Sequence, residues 1–298
     1  MCHRPAAIIL GVALLGLYAA AAVQVVTSTT DIKSIAEFIG GDRISVKSIT
    51  TGKDNPHFVE VLPSYMVMVS KASLYLKIGL GLDFWADPII DGSRNGRLKV
   101  ADCSEGIEVL QKPSGPVDAS MGDIHPQGNP HYWLDPRNGL IMARNIEKAL
   151  AGIDPDGAKL YEANLQKFAR ELETRIEAWQ RAAEPLKGLE IVTYHNSWPY
   201  LAAFLGIKTA GFVEPKPGIE PTASHIAELI DLMKSRGIQV IGKEPYFAEK
   251  APRVIAAGTG ARVIDLPPSV GAVQEASDYF ALFDAILSRL SAVARKTP

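Results

Sequence analysis

Three of the six histidines in this 298-residue chain stand where side chains could do coordination chemistry. His57 ends Asp54-Asn55-Pro56-His57, His131 ends Gly128-Asn129-Pro130-His131, and His195 lies in Tyr194-His195-Asn196. A carboxylate, Asp265, follows the β-rich run Ala261 to Ile264. Three imidazoles and one carboxylate form a four-coordinate nitrogen and oxygen set that suits Zn²⁺, at about 2.0–2.2 Å per ligand. The gaps between these positions, about 65 to 75 residues each, exclude a local zinc finger and require four separate loops. A single histidine after a strand is more often an ordinary polar residue than a ligand. The weight therefore rests on three recurring in one kind of context. Glu244 is the alternative carboxylate, since Asp265 could simply cap the chain before Pro267-Pro268. Glu60, three residues after His57, reads either as an outer hydrogen-bond partner or as a solvated charge. His125 reads as solvated, with transient metal capture as the sharper option. His225, inside a helical pattern, reads as structural.

The elements that must position these residues alternate. Short β-rich runs at Val23–Thr27, Ile44–Ile49 and Leu74–Ile78 are separated by helical patterns starting at Asp31 and Leu62, which is the signature of a parallel α/β sheet. Lys112 to Pro130 carries Pro, Gly, Ser and Asp without apolar period and reads as a surface loop. Asp135 and Pro136 form a helix start. From Asp154 to Pro185 runs one long helical stretch, with Leu165, Phe168, Leu172, Ile176 and Trp179 at helical spacing. The alternation then restarts with strands at Leu189–Tyr194, Ile207–Phe212, Ile238–Ile241 and Ala261–Ile264. The expected fold class is α/β, two lobes with parallel-type sheets joined by one long backbone helix. The lobes span 23–153 and 186–298, and the helix spans 154–185. Ligands of open α/β sheets bind beyond the carboxyl ends of the strands, where His57, His195 and Asp265 fall.

Residues 1–22 have the layout of a secretory signal peptide: Arg4, an apolar run to about Leu17, then small residues Ala19 to Ala22. The run falls short of the roughly 20 residues of a spanning helix. Removal of this leader takes Cys2 with it and leaves Cys103 alone, so no internal disulfide is expected. No cysteine follows the apolar run, so no lipid anchor is expected and the protein reads as periplasmic. With 33 acidic against 31 basic residues, the chain lacks the basic surface of a nucleic-acid partner.

With these residues on view, the sequence resembles the zinc/manganese solute-binding proteins of bacterial ABC transporters (ZnuA- and TroA-like). Asn55-Pro56-His57 with Pro63-Ser64, Gly128-Asn129-Pro130-His131-Tyr132-Trp133-Leu134-Asp135-Pro136, Tyr194-His195 and Gly260 to Asp265 carry the resemblance. It covers the mature chain, and the second stretch is the most specific. The resemblance implies a metal held between two lobes by His57, His131, His195 and Asp265. It also implies a permease of an ABC transporter as partner, with the ion as cargo and no enzymatic activity. A monomer is expected, with a small metallochaperone as a further partner the sequence leaves open. Manganese members usually carry Glu at the third position; His195 there favours Zn²⁺ over Mn²⁺. The long His-rich loop of many zinc members is missing, because Lys112 to Pro130 is short and holds only His125. Two other classes remain in view. A zinc hydrolase would need Glu60 or Glu244 as base and lacks an HExxH motif. An adhesin could be built on the same scaffold.

Overall fold

The computed structural model describes residues 22–115, 122 and 125–294; the expected leader, apart from Ala22, lies outside them. Among the described residues no helix is long and apolar enough to cross a membrane.

The first lobe is built from β1 (Val23–Thr27), α1 (Thr30–Gly40), β2 (Ile44–Ser48), α2 (Pro63–Ser70), β3 (Leu74–Lys77), α3 (Ala86–Gly92), β4 (Lys99–Asp102) and α4 (Pro136–Ile153). Then come α5 (Ala158–Ala183) and the second lobe: β5 (Glu190–Thr193), α6 (Pro199–Leu205), β6 (Lys208–Phe212), α7 (Ala223–Arg236), β7 (Val240–Lys243), α8 (Lys250–Thr259), β8 (Arg262–Asp265) and α9 (Tyr279–Ala294). Each lobe holds a four-stranded parallel sheet, in the orders β2-β1-β3-β4 and β6-β5-β7-β8. The first strand of each sheet pairs on both sides, so strand order reverses beside β1 and beside β5. Such a reversal opens a crevice at the carboxyl ends of the strands.

β4 and α3 are absent from the sequence expectation. β4 is a four-residue edge strand whose Lys99 and Val100 are exposed, so it lacks the continuous apolar run of a buried parallel strand. α3 has seven residues and contains Asp-Pro. The long helix matches its expected register, but its α-helical part is 26 residues, Ala158–Ala183, about 39 Å at 1.5 Å per residue. Tight 3₁₀ turns bracket it, Pro155–Gly157 before and Glu184–Leu186 after. Each has a proline near its start, where the missing N–H is least costly.

α5 buries Tyr161, Phe168, Leu172 and Trp179 against the rest of the chain. The Phe168 ring packs at 5.2 Å from Phe38 of α1 and 5.1 Å from Phe280 of α9. Trp179 Nε1 donates to Asp284 Oδ1 at 2.7 Å. One apolar cluster thereby runs through α1, α4, α5 and α9 and takes in residues of both sheets. The seam is pinned further by buried polar contacts. Trp133 Nε1 donates to the Pro268 carbonyl at 2.8 Å, and Tyr279 Oη to the Trp133 carbonyl at 2.7 Å. Thr30 Oγ1 donates to the Val270 carbonyl at 2.7 Å. Gly52 lies so close to this loop that a Cβ there would come within 2.0 Å of the Val270 oxygen, and its φ of +77° also favours glycine.

Asp31, fully buried at the start of α1, accepts from the Val270 N–H at 2.9 Å. Burial raises its carboxyl to about 7. The folded protein thus keeps a proton that the unfolded chain releases near 3.9. The associated stability is complete below about pH 4 and is lost as pH rises towards and through 7. Asp31→Asn keeps the Oδ1 acceptor and stays neutral. In urea unfolding of metal-free protein, its stability relative to the parent should rise between pH 5 and pH 8; a pH-independent difference would show that Asp31 is already charged in the fold.

Candidate metal centre

The two Asn-Pro-His segments share a local mechanism. Asn55 Oδ1 accepts the His57 backbone N–H at 3.1 Å, and Asn129 Oδ1 accepts that of His131 at 3.0 Å. In both, the asparagine two residues upstream closes a side-chain turn on which the histidine is presented. The His57 loop follows β2. Asp54 ties back to Thr51 through its backbone N–H at 2.8 Å and its hydroxyl at 2.9 Å. Trp85 Nε1 donates to the Pro56 carbonyl at 2.8 Å. His131 precedes a short 3₁₀ turn, Tyr132–Leu134, after which Asp135 caps α4 by accepting from Arg137 N. His195 leaves the carboxyl end of β5, and Thr193 Oγ1 donates to its carbonyl at 2.9 Å.

These three histidines converge. One ring nitrogen from each lies within 4.8 Å of the others, and His57 Nε2 approaches His131 Nε2 to 3.0 Å. The outward nitrogens of two rings face pure acceptors: His131 Nδ1 donates to Asn129 Oδ1 at 2.9 Å, and His195 Nδ1 to Glu214 Oε2 at 2.8 Å. Each therefore carries a hydrogen on Nδ1 and leaves Nε2 as the nitrogen a divalent ion would take. His131 is buried, and burial, followed by the neighbouring His57, His195 and His125, holds its pKa well below the usual imidazole value. A cavity of about 470 Å³ adjoins the cluster, lined by His131, His195, His125, Glu214, Asn129 and Asn196 among others.

Asp265 does not join this group. It stands opposite Lys243 in the β7–β8 register, and its Oδ1 lies 2.7 Å from the Lys243 ammonium. That ion pair occupies the carboxylate expected as fourth ligand. Glu244 is outside the group as well; it is fully buried, accepts from Ser197 Oγ at 2.6 Å, and is pushed by burial to about 7. Glu60 is exposed. His225 sits on α7 with Nε2 at 3.0 Å from the Phe212 carbonyl, a structural contact. His125 departs from the solvated expectation: it is only 8% exposed and its Nε2 lies 3.3 Å from His57 Nδ1. Glu214 escaped the sequence reading altogether. Its one signal was position, a charged residue directly beyond the carboxyl end of β6.

The chain matches the family model for the periplasmic zinc-uptake complex component A over residues 25–293. It belongs to this family. Members are periplasmic metal-binding components of metal import, working with an ABC permease and ATPase, and do not form a known enzyme family. The relatives differ in the ion they are named for. A putative metal-binding protein of Treponema pallidum is 26% identical over 80% of this chain and 77% of its own. A manganese-binding lipoprotein of Halalkalibacterium halodurans is 29% identical over 73% and 69%. The high-affinity zinc uptake protein ZnuA of Brucella abortus is 31% identical over 50% and 45%. A crystal structure of ZnuA superposes with a TM-score of 0.77 at 29% identity, covering 91% of this chain and all of that one. A laminin-binding adhesin of Streptococcus agalactiae shares the fold at a TM-score of 0.77 and 23% identity.

Because His131 is held neutral, the unfolded chain binds a proton below about 6.5 that the folded one refuses. The stability associated with neutral His131 is complete above that pH and is lost as pH falls below it, at up to about 1.4 kcal/mol per pH unit. In chelator-treated protein, the stability of the parent relative to His131→Asn should increase from pH 5 to pH 7. An unchanged difference would mean that His131 is protonated in the folded state.

Proposed function

We propose that this protein captures Zn²⁺ through His57, His131 and His195 and delivers it, as an exported periplasmic monomer, to the permease of an ABC transporter. The observation that carries this reading is the convergence of three imidazoles with two outward nitrogens tied to acceptors. Family membership supports the transport role but leaves the ion open, since relatives are named for zinc, manganese and iron. The donor set supports zinc: three imidazole nitrogens converge and no carboxylate joins them among the described residues. Manganese favours oxygen, whereas imidazole suits zinc.

Capture needs little rearrangement of His131 or His195, whose ring nitrogens already converge. The ion would replace the close His57–His131 contact, and protons compete with it for ring nitrogens, so affinity falls as the solution is made more acidic. The shared core and the pinned seam oppose wide separation of the lobes. Delivery therefore falls to shifts of the loops that carry the ligands.

Titration of chelator-treated protein with Zn²⁺ and Mn²⁺ tests this directly. Zn²⁺ should bind more tightly than Mn²⁺, and His57→Ala, His131→Ala and His195→Ala should each weaken Zn²⁺ by about 100-fold or more. Glu214→Gln, which weakens the hold on His195 Nδ1, should cost about 10- to 100-fold. Asp265→Asn should stay within a few-fold of the parent. Unchanged Zn²⁺ binding by the three histidine variants would place the site elsewhere.

A further inference from the structure

The outward nitrogens of the three histidines are not held alike. Those of His131 and His195 face an amide oxygen and a carboxylate, which can only accept. The Nδ1 of His57 faces the Nε2 of another imidazole, His125, at 3.3 Å, with ring centroids 5.1 Å apart. An imidazole nitrogen can donate or accept, so this contact bears on which nitrogen of His57 carries the hydrogen.

We propose that His125 is the positioning residue for His57: its Nε2 accepts the Nδ1–H of His57 and so presents the bare Nε2 of His57 to the ion. The inference rests on the metal-site reading above. His125 occupies for His57 the place that Asn129 and Glu214 occupy for the other two rings. It stands behind His57, on the side away from the His57–His131 contact, and is not part of the converging group.

The surroundings of His125 suit a fixed partner. Its carbonyl accepts from Gly128 N at 3.0 Å. Gly128 has φ of +107°, and a Cβ there would come within 2.5 Å of Val109 and 2.9 Å of the Leu110 carbonyl, so only glycine closes this turn. On the other side Gly81 backs the ring; a Cβ at position 81 would sit 3.5 Å from His125 Nδ1. His125 is 8% exposed, so little of the residue is open to water. Without an acceptor behind it, His57 is free to carry its hydrogen on Nε2, which then has to be displaced before coordination. Loss of such an outer partner typically costs about 10- to 100-fold in metal affinity.

The full chain, ¹⁵N-labelled at histidine and stripped of metal, tests the contact by long-range proton–nitrogen correlation spectra, with His57 signals assigned by their loss in His57→Ala. The parent should show His57 with its hydrogen on Nδ1. His125→Phe should shift it towards Nε2 and weaken Zn²⁺ binding about 10- to 100-fold. His125→Gln, whose side-chain oxygen can accept, should restore the parent form and bring affinity back to within about threefold. A parent with its hydrogen on His57 Nε2 overturns the inference without recourse to any variant. It is equally overturned if His125→Phe changes neither the spectrum nor the affinity. Direct nitrogen–metal coupling to His125 in ¹¹³Cd-substituted protein would make it a ligand rather than a positioning residue. Should His57→Ala bind Zn²⁺ like the parent, the metal-site reading falls, while the metal-free spectra still judge the His125 contact.

Discussion

The molecule is organised around a requirement for bringing three imidazoles together: each ring must be gripped by the nitrogen that does not face the others. Imidazoles this close cannot all be charged, and His131 is both buried and surrounded by others of its kind. Its grip is Asn129, which also donates from Nδ2 to the Asn196 carbonyl at 2.8 Å, one residue beyond His195 in the other lobe. Tyr200 of α6 adds a hydrogen bond to the Asn129 carbonyl at 2.9 Å and accepts from Leu110 N at 3.0 Å. The side chain that orients one histidine therefore also fixes the lobe that supplies another. For His131 and His195, site geometry and lobe geometry are tied together.

This has an energetic consequence for exchange of the ion. Separating the lobes would break the hydrogen bonds made by Trp133, Tyr279, Thr30 and Asp31, each worth about 0.5–1.5 kcal/mol net. It would also open the apolar cluster that α5 threads. The His57 loop stands in contrast. His57 is the least buried of the three ligating candidates, and the next residue, Phe58, is 64% exposed. Displacing that loop breaks the Trp85–Pro56 bond, the His57–His125 contact and short-range turns rather than the hydrogen bonds of Trp133, Tyr279 and Thr30. The lower-cost path to an open site runs through the first lobe's loop.

What could be read from the sequence followed from locality. The Asn-Pro-His segments are local devices, so His57 and His131 were recognisable, although the work of the asparagines became visible only in three dimensions. The long helix was legible because Gly and Pro are missing from its whole length and its apolar residues keep period. The short edge strand β4 had no such pattern. The misplacement of Asp265 has a different cause. Its position after a strand is right for a ligand, but the residue beside it in the sheet, Lys243, is 22 positions away in sequence and is set by strand register. Glu214 and His125 act through contacts across the fold, to His195 and His57, and no spacing rule announces either.

Asp265, Glu214 and Glu244 are each turned to another task. Asp265 neutralises Lys243, Glu214 holds the outward nitrogen of His195, and Glu244 is buried against Ser197 with its carboxyl raised to about 7, so that its charge is suppressed near neutrality. A site for a hard, oxygen-preferring ion would gain from turning any of them inward. Keeping them out leaves an all-nitrogen convergence among the described residues. An all-nitrogen site would discriminate by donor softness, which is the physical ground for the proposed preference for zinc over manganese.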